Sequence, residues 1–235
     1  MPHYKRILLK LSGEALAGEG GFGIDRERIS QIAAELAAVA RDGVELGLVV
    51  GGGNFFRGIK ASQTGLQRVT VDHMGMLATI INALALQDFL QAQQVQARVL
   101  SAIPVEPVAE SFTRRAALAY LSAGQILIFA GGTGSPFFST DTAASLRAAE
   151  IGADLLAKAT KVDGVYDKDP VKHPEARRHE KISYADVLAQ QLAVMDAAAV
   201  SLCRENRLPV VVFNLNTAGN IARLAAGENI GTLIS

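Results

Sequence analysis

Residues 131–141 read Gly131-Gly132-Thr133-Gly134-Ser135-Pro136-Phe137-Phe138-Ser139-Thr140-Asp141 and directly follow an apolar run. Glycines after a strand let backbone N–H groups turn toward an anion, and a helix start just beyond adds its partial positive charge. Asp141 on such a turn is costly unless a cation or a transferring phosphoryl group needs it. The combination suggests phosphate chemistry. An ordinary strand–turn–helix capped by Ser139 or Thr140 would carry the same residues, and Gly-rich loops alone discriminate weakly.

Three more runs end in residues of the same kind: Lys10-Leu11-Ser12-Gly13-Glu14, Gly51-Gly52-Gly53-Asn54-Phe55-Phe56-Arg57-Gly58, and residues 159–170 with Thr160, Lys161, Asp163, Tyr166 and Asp169. Lys10 before a glycine turn is placed to stabilise phosphoryl oxygens, or it is an edge-strand or snorkelling lysine. Arg57 offers a bidentate fork to phosphate or is a solvated loop arginine. Asp72 follows Thr70 at the start of a helical pattern, where capping is a competing account. Phe137 and Phe138 read as core plugs or as a wall for a base. Cys203 reads as a small buried hydrophobe. Two common nucleotide fingerprints fail: Glu19 stands where a P-loop after Gly13 and Gly18 needs lysine, and Phe56 stands where a dinucleotide turn needs its last glycine.

The elements that must position these loops alternate along the chain. Apolar strand-like runs occupy 6–11, 46–50, 97–101, 125–130, 155–159, 209–213 and 231–234, and helical patterns lie at 26–42, 71–93, 114–123, 141–151, 184–190, 196–206 and 220–226. The strands are continuously apolar rather than alternating, as in a sheet covered on both faces. This predicts an α/β fold: a three-layer α/β/α sandwich with a mostly parallel central sheet. In such sheets ligands sit beyond the carboxyl ends of the strands, where all four loops fall.

Composition excludes several classes. The chain has 235 residues with 23 acidic and 23 basic side chains, so no electrostatic grip on nucleic acid or an anionic membrane is expected. One cysteine allows neither an internal disulfide nor a Cys-rich zinc site. No signal peptide and no apolar run near ~20 residues is visible, so the expectation is a soluble cytoplasmic protein.

Lys10-Leu11-Ser12-Gly13-Glu14-Ala15, Gly51-Gly52-Gly53-Asn54, the 132–141 run and Thr160-Lys161-Val162-Asp163-Gly164-Val165-Tyr166 occur together and in order. In this the chain closely resembles the bacterial uridylate kinases of the amino-acid kinase family, over essentially its whole length. The resemblance implies one amino-acid kinase domain over 1–235, its N-terminal part binding the acceptor and its C-terminal part ATP. It implies ATP-dependent phosphorylation of UMP with Mg²⁺. ATP falls to Lys10, Leu11, Ser12, Gly13, Gly53, Arg57, Thr160, Tyr166 and Asp169. UMP falls to Gly52, Asp72, Thr133, Gly134, Ser135, Pro136, Phe137, Phe138, Ser139 and Thr140. The catalytic set is Lys10, Arg57, Asp141 and Asp196, with Asp196 orienting the lysine and Lys158 a further phosphate contact. No dedicated protein metal ligands are expected. A homohexamer is implied, with UTP as inhibitor and GTP as activator. Arg98 and Arg114 match the effector region. Gln87, Gln91 and Gln125 stand where some relatives carry basic or imidazole groups, which leaves GTP activation open. A sister kinase acting on a carboxylate or carbamate and a non-catalytic hexamer are the other readings.

Overall fold

The computed structural model describes residues 2–18, 20–55, 65–170, 172–192 and 194–235. Its central sheet has nine strands: β1 (Arg6–Leu11), β2 (Glu45–Val50), β3 (Ala97–Ser101), β4 (Glu110–Ser111), β5 (Ile126–Ala130), β6 (Leu155–Thr160), β9 (Lys181–Ile182), β10 (Val210–Asn214) and β11 (Gly231–Ile234). A separate two-stranded hairpin pairs β7 (Val165–Tyr166) with β8 (Arg178–His179). The spatial order of the large sheet is β4-β3-β5-β2-β1-β6-β10-β11-β9, and every neighbouring pair is parallel except β10 with β11.

Helices cover both faces, as the continuous apolar strands require. One face packs α1 (Arg26–Arg41), α2 (Arg68–Ala92) and α7 (Asn220–Ala225) through Leu36, Leu86 and Leu224 onto Leu9, Leu48 and Ile128. The other packs α3 (Arg114–Ser122), α4 (Thr140–Ile151), α5 (Tyr184–Ala189) and α6 (Ala197–Glu205) through Leu121, Ala148, Val187 and Cys203 onto Leu8, Leu127 and Leu156. The predicted sandwich is therefore observed, and the seven predicted strands match to within a residue at each end. The four additional strands have two residues each, too short to show any period.

One element, the helix α2, differs from expectation. Helix α2 starts at Arg68 rather than 71, with Gln67 at its N-cap. It is also long and apolar enough to cross a membrane by length and composition, and well under half of its most apolar stretch is buried within this chain. Its buried face carries Ile80, Ala83, Leu86 and Leu90 into the core.

The chain builds outward in two directions from β1: through β2 on one side and through β6 on the other. The carboxyl ends of β1 and β6 thus form the switch point at which open α/β sheets bind ligands.

Candidate active site

Lys10 and Lys158 sit directly opposite each other across that switch point, as register partners of the parallel β1–β6 ladder. Side chains alternate along a strand, so both share the face of Leu8 and Leu156, toward α4. Like charges opposite one another on neighbouring strands repel. Asp141, in the first turn of α4, resolves this: its Oδ1 faces Lys10 Nζ at 2.9 Å and its Oδ2 accepts from Lys158 Nζ at 2.6 Å. All three side chains are largely buried, and Lys158 also donates to the Val194 carbonyl. Burial pushes the Asp141 carboxyl up, but the Lys10 and Lys158 ammoniums outweigh it and hold it below the ordinary carboxylate range. Burial pushes the Lys158 ammonium below the usual lysine range, against the pull of Asp141 and with the repulsion of Lys10 added. One carboxylate between two lysines leaves one positive charge in excess, suited to a further anion. β1 is an inner strand, so the edge-strand reading of Lys10 does not hold.

A cleft of about 230 Å³ opens on one side of this trio, lined by Gly52, Gly53, Asp72, Gly132, Thr133, Phe138 and Thr140 among others. Its floor is fixed by buried polar groups that the sequence reading did not single out. The Asn54 and Asn82 side chains, both almost completely buried, exchange two amide hydrogen bonds at 2.9 and 2.7 Å. Asn82 also donates to the Gly51 carbonyl at 2.8 Å and Asn54 to that of Gly23 at 2.7 Å. Thr79 accepts from the Gly131 N–H at 2.8 Å and donates to the Met76 carbonyl. Gly13 lies so close to this turn that a Cβ there would come within 2.7 Å of Asn54, Gly51 and Gly53. Every buried polar group named here has a partner, which is what makes the turn rigid.

Asp72 is not the helix cap: it lies in the second turn of α2 and lines the cleft. Its carboxylate accepts from Arg68 Nε at 2.8 and 2.9 Å and from the Phe137 N–H at 2.7 Å. Burial raises its pKa, but the Phe137 N–H and Arg68 together outweigh it and hold the carboxyl below the ordinary range. Phe137, at φ +72°, is exposed and is not part of the cleft lining, whereas Phe138 lines it; neither is a core plug. Ser139 serves as the N-cap of α4, accepting from the N–H groups of Asp141 and Thr142. Thr133 hydrogen-bonds both backbone groups of Ser135 and so shapes the turn containing Gly134 and Pro136.

A larger cleft of about 610 Å³ opens on the other side, lined by Lys158, Thr160, Gly164, Tyr166, Asp169, Gln191 and Val212 among others. Tyr166 donates to Asp163, a bond that raises its pKa together with slight burial. Three residues expected around ATP thus share one cleft with Lys158, while Gly53 lines the smaller cleft beside Gly52 instead. Leu11 is fully buried, so only its backbone is available, and Ser12 precedes a short 3-10 turn, Gly13–Leu16. Asp196 was expected to orient the lysine. Its carboxylate accepts from Ser139 Oγ, from Thr142 Oγ1 at 2.8 Å and from the Ala199 N–H, joining the first turns of α4 and α6, and its charge also acts on the Lys158 ammonium. Arg57 lies outside the described residues. Outside the lining of both clefts, Arg98 bonds Gln125, Gln87 donates to the Ala97 carbonyl, and Arg114 to that of Glu150.

The profile of the amino acid kinase family matches residues 5–214. The chain belongs to the amino acid kinase family. Solved structures of family size and shape include a UMP kinase from Bacillus anthracis, 42% identical with a TM-score of 0.96, covering 99% of this chain and 96% of that one. A UMP kinase from Ureaplasma parvum is 36% identical with a TM-score of 0.93, covering 98% of each chain. A uridylate kinase from Archaeoglobus fulgidus is 27% identical with a TM-score of 0.75, covering 97% of this chain and 99% of that one.

For an amino acid kinase the metal question bears on the trio. Among the described residues no group of three or more His, Cys, Asp or Glu side chains could hold a metal ion. Asp141 Oδ1 pairs with Lys10 Nζ at 2.9 Å, and a carboxylate oxygen with one such partner keeps a second lone pair free. A hard divalent cation held by one such oxygen, phosphate oxygens and water fits this donor set, and Asp141 would be its protein ligand.

Proposed function

We propose that this protein transfers the γ-phosphoryl group of ATP to UMP, giving UDP for pyrimidine nucleotide synthesis. One observation carries the reading: two clefts flank the Lys10–Asp141–Lys158 trio. Thr140 of the smaller is the neighbour of Asp141, and Lys158 of the larger is bonded to it. The likeness over nearly the full chain to proteins described as UMP kinases supports the choice of substrates.

On this reading the smaller cleft takes UMP through Gly52, Asp72, Thr133, Phe138 and Thr140, and the larger takes ATP through Thr160, Tyr166 and Asp169. The acceptor oxygen is already an anion, so the enzyme needs no strong base. It must hold two polyanions close and in line and cancel their repulsion. Lys10 and Lys158 supply that charge at the transferring group, Arg57 and the Ser12–Gly13 backbone add to it, and Asp141 keeps both lysines aimed. Magnesium, held on Asp141 and the phosphates, would neutralise charge on the β- and γ-oxygens. Asp196 acts at one remove, by fixing the turn that carries Asp141. The whole chain serves as one catalytic unit in the cytoplasm. The outward residues Val69, Leu77 and Ile81 of α2 form an open apolar face that supports assembly into a homohexamer. UTP inhibits by competing for the UMP cleft, and GTP activation would act through the region of Arg98 and Arg114.

An assay of ADP release with UMP, CMP, dUMP, N-acetylglutamate and carbamate as acceptors tests the reading. UMP is expected to be used about tenfold or more better than CMP, because a cleft built to pair the uracil edge leaves groups unpaired with cytosine. Turnover of N-acetylglutamate or carbamate without UMP would overturn it.

A further inference from the structure

We propose that Thr232 is a positioning residue for the phosphoryl donor: one buried hydroxyl fixes the hairpin that walls the donor cleft. The hairpin of β7 and β8 forms no ladder with the nine-stranded sheet. Its Val165 and His179 are register partners, and Thr232, on β11, bonds both: Oγ1 accepts from the Val165 N–H at 2.8 Å and donates to the His179 carbonyl. Thr232 is completely buried, so water cannot replace either bond. A Cβ at Gly164 would overlap this hydroxyl, so the chain entering the hairpin passes directly over it. Through its backbone Thr232 pairs with Val212 of β10, which itself lines the donor cleft. The register of the core sheet therefore reaches Val165, and Tyr166 beside it, through this side chain, alongside the β9–β11 ladder that begins just after β8 and the packing of Val165 in the core.

This inference rests on the reading of the larger cleft as the ATP site. Thr232→Val keeps the shape and removes the hydroxyl, while Thr232→Ser keeps the hydroxyl. With Thr232→Val, KM for ATP and the calorimetric Kd for ATP are expected to rise about tenfold, the equivalent of one net hydrogen bond, with kcat and KM for UMP within about twofold of wild type. Thr232→Ser is expected to restore both ATP values. Unchanged ATP affinity in Thr232→Val overturns the inference and leaves the donor reading standing. So does a uniform change in kcat and both KM values, which marks general loosening. A wild-type protein that binds no ATP overturns the donor reading first. Should the valine variant not fold, amide hydrogen exchange of the wild type decides. Protection of Val165 matching that of Val212 supports the anchor, and exchange as fast as at Lys168 overturns it.

Discussion

The two clefts are built by opposite strategies. The smaller cleft, proposed for the acceptor, is embedded in the core: α2 presses against the 51–54 turn, two buried asparagines lock to each other, and Thr79 holds Gly131. The larger cleft, proposed for the donor, is walled by a two-residue-per-strand hairpin and the end of α5, tied to the sheet by the hydroxyls of Thr232 and Thr160 and by the β9–β11 ladder that follows β8. Preorganisation through burial makes the first rigid, and its failures should appear as lost stability. Anchoring through single hydrogen bonds makes the second adjustable, and its failures should appear as lost donor affinity. The Lys10–Asp141–Lys158 trio between them belongs to both.

Asp141→Asn should have the largest effect, because it strikes where the two halves meet. Loss of the charge that aims Lys10 and Lys158 is expected to lower kcat about 10²–10³-fold, with kcat/KM falling in parallel. Removing the countercharge between two buried lysines should also cost about 3 kcal/mol, the low end for a broken buried pair. Steady-state kinetics beside thermal unfolding checks both; near-wild-type kcat in a folded variant means Asp141 is only a first-turn helix acid.

Asn82→Leu tests the rigid side. It strands the Asn54 amide and the Gly51 carbonyl, and should destabilise by roughly 2–3 kcal/mol in denaturant titrations, with KM for ATP unchanged. A larger effect on ATP than on UMP would break the contrast between the two sides.

Asp72→Ala sharpens it. With Gln67 as the helix cap, the loss should be in acceptor affinity, about a tenfold rise in KM for UMP with near-normal KM for ATP. Unchanged KM with a lowered melting temperature would return Asp72 to a structural role.

The smallest expected signal is a pH dependence. The folded pKa of Asp141 lies below its unfolded value, so its contribution to stability is present above the ordinary carboxylate pKa and is lost as pH falls through the folded value. The gap in melting temperature between wild type and Asp141→Asn should therefore be full at neutral pH and narrow below about pH 4. A gap that stays constant into acid would mean that Asp141 is not held ionised by its lysines.

The amino-acid sequence by itself determined the class of the fold, because continuously apolar strands between amphipathic helices have few ways to bury both faces. It also marked the loops, because glycines, a strand-end lysine and an acid after a phosphate-type turn are local signals. It did not reveal that Lys10 and Lys158 are opposed, since register between strands about 150 positions apart leaves no local trace. Nor did it reveal that Asp72 lies past the helix cap, that Asp196 grips Ser139 and Thr142, or that Asn54 meets Asn82. Those pairings are made by long-range contacts, and each polar side chain takes the partner that burial brings within reach. Tertiary structure alone decides that, because an unsatisfied buried group is costly wherever in the sequence its partner lies.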